Sequence, residues 1–327
     1  MLEFLFACLL SFIPAIFFAG IIYWMDRFEK EPKRLLIGVF LWGAVIAIIG
    51  ALVSQIILSA GTLALTRSNA LTDFLSGSVY APITEELLKG LAVLLVFLLF
   101  RSHFDSILDG IIYAGITALG FAAVENFFYL LDAGDEGGVS AVFILFFLRV
   151  VLGGWNHAMF TAFTGIGLAL ARLSKNIAVK IIAPLAGLGL AIITHSLHNT
   201  LVSIRGGICL AFVLDWLGWI FIFGLMIWAI RREQKWLAKQ LRDEIALGTL
   251  SEQQYRTAIS GMGRTSAWLS ALGSGRVAAT RKFYRLLAQL AIKKEQREQF
   301  GDESGNAATI ARVRAELARL SPGLGAG

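Results

Sequence analysis

The chain has 327 residues, of which 57% are hydrophobic and only 16% are charged. Soluble domains carry about 25% charged residues, so this composition excludes an ordinary soluble enzyme and predicts a membrane protein. The two cysteines, Cys8 and Cys209, both fall in apolar stretches, which excludes a disulfide framework and a cysteine-based metal site.

Charged residues are distributed unevenly along the chain. Residues 1–230 contain 12 Lys and Arg against 14 Asp and Glu, whereas residues 231–327 contain 17 against 9. We therefore expect a transmembrane domain over residues 1–230 and a soluble, basic, helical tail over residues 231–327. A basic segment after an apolar span is typical of a cytoplasmic tail that contacts anionic lipid headgroups. No nucleic-acid-binding motif is present, so nucleic acid is not an expected partner.

Seven apolar segments are long enough to cross a bilayer, which takes about 20 helical residues. They lie at residues 3–24, 35–59, 79–100, 107–131, 142–171, 178–203 and 207–230. We expect the first to be a retained span, because no basic segment precedes it. The fifth contains Gly153 and Gly154, where a kink is expected. The predicted fold class is all-α, a polytopic bundle of about seven transmembrane helices.

Lys and Arg in the short loops predict the orientation of this bundle. Eleven of them, Arg27 included, flank loops on one side, whereas only Arg67 and Arg205 lie on the other. Because these residues are enriched in cytoplasmic loops, we expect the N-terminus outside and the tail in the cytoplasm, in a multi-pass plasma membrane protein. Within the tail, the apolar spacing predicts helices near residues 252–259, 278–299 and 307–320.

Ionisable residues inside the predicted spans are the main functional signal. A charged side chain at the centre of a bilayer costs about 2.5–3.5 kcal/mol on insertion scales, so each one is expected to have a functional or structural role. Helix rise and span direction place several of them in one layer, roughly 10 Å below the outer surface: Glu85, Glu86, Glu125, His195 and Asp215. His157 joins this layer if the fifth span begins late. His198 and Asp215 are more simply explained as polar contacts between helices.

The spacing of these residues suggests roles. Glu85 and Lys89 are four residues apart in the order that favours an ion pair, so Lys89 is expected to support the site structurally. Carboxylates, imidazoles and an amide at one depth can polarise water and stabilise an oxyanion. The predicted catalytic group is Glu85, Glu86, Glu125, His157, His195 and Asn199. Four of them equally suit Zn²⁺, with one position left for water: Glu86, Glu125, His157 and His195.

Four short motifs in this order resemble the PrsW family of intramembrane proteases: Glu85-Glu86-Leu87-Leu88-Lys89, Phe121-Ala-Ala-Val-Glu125, His157 with Thr161, and His195-Ser-Leu-His-Asn199. The segment Asp26–Pro32 is also similar to that family's entry segment. The resemblance implies a bacterial-type peptidase, distantly related to CAAX-processing enzymes and described both as a metallopeptidase and as a glutamate-type peptidase. It also implies protein substrates, since some members of the family cleave membrane-anchored anti-sigma factors on the extracytoplasmic side, as a first cut in signalling.

Three functions compete at this stage. The preferred one is a peptidase in which Glu85 or Glu86 is the general base, while Glu125 and His157 orient water or bind a metal. His195 and Asn199 would then stabilise the oxyanion. A transporter of protons or divalent metal ions is the alternative, but it calls for polar groups in both membrane halves and often for internal repeats, and neither is found. A receptor that signals through the tail would leave the buried carboxylates unexplained.

Overall fold

A computed structural model describes residues 1–26, 28, 30–302 and 305–324. Within them the chain is all-α, as predicted, and contains no strand. Its helices are α1 (Leu2–Met25), α2 (Lys33–Leu41), α3 (Ile48–Thr66), α4 (Asn69–Leu75), α5 (Ala81–Leu99), α6 (Ile107–Phe146), α7 (Asn156–Leu173), α8 (Ile177–Ser203), α9 (Ile208–Ala246), α10 (Glu252–Ala258), α11 (Gly261–Gly273), α12 (Val277–Phe300) and α13 (Asn306–Leu324). Arg27, one of the cations that predicted the orientation, lies outside the described residues.

The described residues include three short π-helical segments, each lying between two α-helices. They are Trp42–Ala47 between α2 and α3, Ser76–Tyr80 between α4 and α5, and Phe147–Leu152 after α6. A π-helical turn adds a residue to the helical repeat and so redirects the side chains that follow it, and such turns occur frequently at functional sites. The second and third of these segments lie beside the candidate site described below.

Five helical runs in the described residues are long and apolar enough to cross a membrane: Leu2–Met25, Lys33–Thr66, Ile107–Leu173, Ile177–Ser203 and Ile208–Ala246. The 67-residue run Ile107–Leu173 contains the fourth and fifth predicted spans. The third predicted span corresponds to α5, whose charged residues keep it out of this set. The chain is therefore a helical membrane protein, while seven spans and the orientation remain predictions.

The segment between the fourth and fifth predicted spans differs from expectation. Residues 132–138, expected to be a loop, are helical until Gly138, whose φ of 66° breaks α6. The fifth predicted span is interrupted at Gly153–Trp155, the position of the expected kink, so α7 begins only at Asn156. A Cβ atom on Gly154 would lie 2.1 Å from the carbonyl oxygen of Val150, so the interruption requires glycine there. As a result, His157 lies in the first turn of α7.

The chain divides into two compact units. The first comprises Met1–Met25 and Glu31–Met226, and the second comprises Asp26–Lys30 and Ile227–Gly327. The boundary in α9 lies close to the division expected at residue 230. The assignment of the two units as a membrane protease domain and a cytoplasmic tail remains a prediction.

In the first unit, α5 packs against α6, α7 and α8, and α7 packs closely on both α6 and α8. Glycines allow these approaches. A Cβ atom on Gly110 would lie 2.3 Å from the carbonyl oxygen of Gly165, and one on Gly187 would lie 2.4 Å from that of Phe163. Small residues at helix crossings are typical of membrane bundles. They bring the polar faces of α5, α6, α7 and α8 together.

The second unit has its own core, built from leucines of α9, α12 and α13 around Phe283. Glu244 is fully buried beside this core. It accepts hydrogen bonds from Arg314 at 2.7 and 2.9 Å, from Lys294 at 3.0 Å and from Thr249 at 3.0 Å. Its hydrogen bonds raise the pKa of Arg314 above its ordinary value. The tail is thus a folded helical unit with a buried ionic network.

Candidate active site

The first part of the candidate site is a buried ion triplet on α5. Pro82 lies in the first turn of this helix, where a missing N–H costs no hydrogen bond. One and two turns later, Glu85, Glu86 and Lys89 point into the bundle and are almost completely buried. The Nζ atom of Lys89 lies 3.1 Å from Oε2 of Glu85 and 3.0 Å from Oε1 of Glu86. Lys89 therefore compensates the charge of both carboxylates.

Glu86 connects α5 to α7 and α8. Its Oε1 lies 3.0 Å from Nδ1 of His195, and its Oε2 accepts a hydrogen bond of 2.8 Å from Thr161. Both carboxylate oxygens are thus occupied, and Glu86 has no exposed surface. The ring of Phe160 stacks on His195 with 4.8 Å between centroids. Glu86 therefore fixes the orientation of His195 instead of facing solvent.

Glu125 plays the equivalent part for His157. Its Oε2 lies 2.9 Å from Nε2 of His157 and accepts a hydrogen bond of 2.9 Å from Arg149. Arg149 also donates to Asn126 and stacks on the ring of Tyr129, 3.7 Å from its centroid. Sequence reasoning did not assign Arg149 or Asn126 to the site, although a charge inside the fifth predicted span was an available signal.

Each histidine thus has one ring nitrogen beside a carboxylate and the other near the centre of the group. Nε2 of His195 lies 3.9 Å from Oε2 of Glu85, and Nδ1 of His157 lies 3.1 Å from Nζ of Lys89. Three ligand atoms lie within 4.8 Å of one another, one each from Glu85, His157 and His195. Two imidazoles and a carboxylate, with each imidazole supported by a second carboxylate, fit a divalent metal ion.

Five of the six sequence-predicted catalytic residues therefore meet around Lys89, namely Glu85, Glu86, Glu125, His157 and His195. Asn199 lies one helical turn beyond His195, and its Nδ2 donates a 2.9 Å hydrogen bond to the carbonyl of Gly77. The predicted metal set differs from the group brought together here. Glu85 belongs to that group, whereas Glu86 and Glu125 support the two histidines.

A cavity of about 550 Å³ opens beside this group. Glu125, His157 and His195 are on its wall, whereas Glu85 and Glu86 are not among its lining residues. The same wall includes Asn199 from α8 and Arg149 from the π-helical segment Phe147–Leu152. Of the group around Lys89, the cavity thus gives a ligand access to His157, His195 and Glu125.

Histidines and carboxylates clustered beside a cavity in an apolar helical bundle define the class of protein, a polytopic membrane protein with a buried ionisable functional site. Comparison of the sequence with known protein families identifies the family. A model of the PrsW family intramembrane metalloprotease matches residues 31–229, which is more than half of the chain. The chain belongs to this family, which associates it with a metal and with protein substrates.

Several curated relatives agree with this assignment. Protease PrsW of Geobacillus kaustophilus is 30% identical over 152 residues, covering 46% of this chain and 60% of that protein. Protease PrsW of Oceanobacillus iheyensis is 29% identical over 190 residues, covering 58% and 80%. Protease PrsW of Bacillus subtilis is 28% identical over 163 residues, covering 50% and 67%. No solved structure matches the chain significantly.

Proposed function

We propose that this chain hydrolyses peptide bonds of membrane-anchored proteins at the cavity beside His157 and His195. The observation that carries the proposal is the convergence of Glu85, His157 and His195 within 4.8 Å, next to a cavity that two of them line. Family membership supports the same reaction. Hydrolysis needs an activated water, a proton acceptor and a donor to the oxyanion, and the site contains a residue type for each.

Glu85, His157 and His195 would hold the metal ion, for which Zn²⁺ is suited by its preference for nitrogen and carboxylate ligands. When bound, the ion would supply Lewis-acid polarisation of water and of the scissile carbonyl. Glu86 and Glu125 would keep the two imidazoles in the tautomers that leave a lone pair on the inner nitrogen, and Lys89 would have to release Nδ1 of His157 to the ion. Lys89 would balance the negative charge of the two α5 carboxylates.

Glu125 is the proposed proton acceptor, because it is the carboxylate of the group that lines the cavity. Within the described residues, Arg149 and His157 both contact its Oε2, which leaves Oε1 for water. Oε1 would take a proton as the water oxygen bonds to the scissile carbonyl carbon. The same proton would then pass to the amide nitrogen as the C–N bond breaks. This role differs from the sequence-based one, which gave the base to Glu85 or Glu86.

Asn199 is the proposed oxyanion donor. One N–H of its Nδ2 is used by the carbonyl of Gly77, and an amide nitrogen carries two. Asn199 lines the cavity, so its second N–H is the one that a bound substrate could use. A backbone carbonyl seated in the cavity would therefore have a hydrogen-bond donor beside it when negative charge develops on its oxygen.

The proposed substrate is a protein with a single span, for which a membrane-anchored anti-sigma factor is the class that the family resemblance implies. We further propose that the enzyme resides in the plasma membrane and cuts near the extracytoplasmic side, with a cytoplasmic tail whose basic residues contact anionic headgroups. The excess of Lys and Arg after residue 230 supports the last point.

The test is cleavage of a doubly labelled single-span reporter by purified enzyme in liposomes. Wild-type protein should release the two labels from each other, and Glu85→Ala and Glu125→Gln should abolish the release. Glu136→Gln is the matched control, because this exposed carboxylate lies on the same helix as Glu125. Unchanged cleavage by both site variants would refute the proposal. Proton or metal flux without cleavage would support a transporter.

A further inference from the structure

A second polar group lies beside the candidate site and takes no part in the mechanism above. Asp215 of α9 is 4% exposed, and its Oδ2 lies 2.7 Å from Nδ1 of His198 on α8. The same oxygen accepts a 2.7 Å hydrogen bond from Nδ2 of Asn156, the first residue of α7. One carboxylate oxygen therefore links three helices of the first unit.

The members of this group differ in their access to the cavity. His198 and Asn156 line the cavity that also exposes His157 and His195, whereas Asp215 is not among its lining residues. The ring of Phe160 separates the two histidines of α8, with its centroid 4.8 Å from His195 and 5.8 Å from His198. His198 is thus a distinct point on the cavity wall with a buried carboxylate behind it.

The carboxylate determines what His198 can offer. An ionised carboxylate only accepts hydrogen bonds, so the neutral ring places its proton on Nδ1 and keeps a lone pair on Nε2. Within the described residues, Nε2 of His198 has no hydrogen-bond partner. A contact that served helix packing alone would not need a buried charge, since an amide can link the same helices at a smaller desolvation cost.

We propose that Nε2 of His198 binds the substrate by accepting a hydrogen bond from a main-chain N–H, with Asp215 as its positioning residue. This inference rests on the proposed function, because it assumes a peptide in the cavity. It also assigns the substrate a conformation. A peptide N–H is free to bind His198 only where the substrate helix has unwound or in its first turn, since N–H groups further along a helix are already paired.

The test separates the two nitrogens of His198. Asparagine reproduces the position of Nδ1 and so keeps the contact with Asp215, whereas glutamine reproduces the position of Nε2. Each variant is made in the Glu125→Gln background, and binding of the labelled single-span reporter in liposomes is measured by energy transfer. Loss of one hydrogen bond predicts about five- to tenfold weaker binding by His198→Asn. His198→Gln should stay within about twofold.

A purely structural role of His198 predicts the opposite order of affinities. His198→Asn would then bind the reporter about as tightly as the Glu125→Gln protein, and that result would overturn the proposal. Thr200→Ala is the control and should bind the reporter normally, because the hydroxyl of Thr200 donates to the carbonyl of Ser196 on the same helix and Thr200 does not line the cavity. If the His198→Asn protein does not fold, reporter binding by the Asp215→Asn protein is the deciding measurement. Weaker binding at an unchanged thermal midpoint supports the proposal, and unchanged binding overturns it. Because binding is measured without cleavage, failure of the proposed hydrolysis is a separate result.

Discussion

Oε1 of Glu86 lies 3.0 Å from Nδ1 of His195, although 109 residues separate them in the chain. This contact assigns Glu86 to orienting an imidazole, because its other oxygen is bound by Thr161 and no part of it is exposed. The two adjacent glutamates of α5 therefore have different tasks.

Glu86→Gln should weaken metal binding by about 10- to 100-fold, the usual effect of removing a residue that supports a metal-bound histidine. Thr161→Val should have a smaller effect, because it removes one hydrogen bond from an uncharged donor and leaves the charge of Glu86 in place. Titration of purified protein with Co²⁺ or Zn²⁺ gives both values. Equal affinity in wild type and Glu86→Gln would remove Glu86 from this role.

Glu125→Gln should lower kcat by about 10²- to 10⁴-fold, the range found when a general base is removed. KM for the single-span reporter should change little, because the amide occupies the same volume. Rates measured over a series of reporter densities in liposomes separate the two parameters. If kcat stayed within threefold of wild type, the proton acceptor would have to be another group.

Removal of the metal should stop cleavage. Dialysis against a strong chelator should abolish release of the reporter labels, and Zn²⁺ should restore it. His157→Ala and His195→Ala proteins should retain less than one tenth of the metal found in wild type after purification. Full activity in protein shown by elemental analysis to be metal-free would instead favour the glutamate-type mechanism.

Lys89→Met should destabilise the first unit by about 3–5 kcal/mol, because it leaves two buried carboxylates without a cation. Adding Glu85→Gln to this variant should recover part of the loss, since one of the uncompensated charges is then gone. Thermal unfolding in detergent measures both. Lys180→Met, at an exposed position on α8, is the control and should unfold as wild type does.

Glu244→Gln should destabilise the second unit by about 3 kcal/mol, because Arg314 and Lys294 lose their buried partner. Glu252→Gln is the matched change, since this exposed residue pairs with an exposed Arg256 and should cost about 0.5 kcal/mol or less. Hydrogen exchange of residues 227–327 reports both effects. Comparable exchange in the two variants would show that the network around Glu244 contributes little.

Much of this arrangement follows from local sequence. The spacing of Glu85 and Lys89 predicts an ion pair on one helical face, and the structure contains it at 3.1 Å. The apolar runs predict helices throughout, and the tail helices α10, α12 and α13 lie where apolar spacing places them. Such features depend on neighbours three or four residues away, which the sequence displays directly.

Contacts between distant helices could not be derived in this way. Nothing in the string Glu85-Glu86 indicates that the second glutamate is bound by His195 and Thr161 while the first approaches both histidines, because helix rotation decides it. Asp215 illustrates the same limit. Sequence reasoning treated it as an interhelical contact, but only the packing of α8 against α9 brings it to Nδ1 of His198 and leaves Nε2 on the cavity wall.

The interruption at Gly153–Trp155 has a consequence for the supply of water. Irregular backbone at membrane depth is tolerated only where protein covers it or where it borders a hydrated space. Gly153 and Gly154 border the cavity together with His157. The break that turns the chain toward the histidines therefore also implies a hydrated space on that side of the bundle. A hydrolase enclosed by lipid consumes one water per bond cut, and we expect a hydrated cavity at this break to supply it.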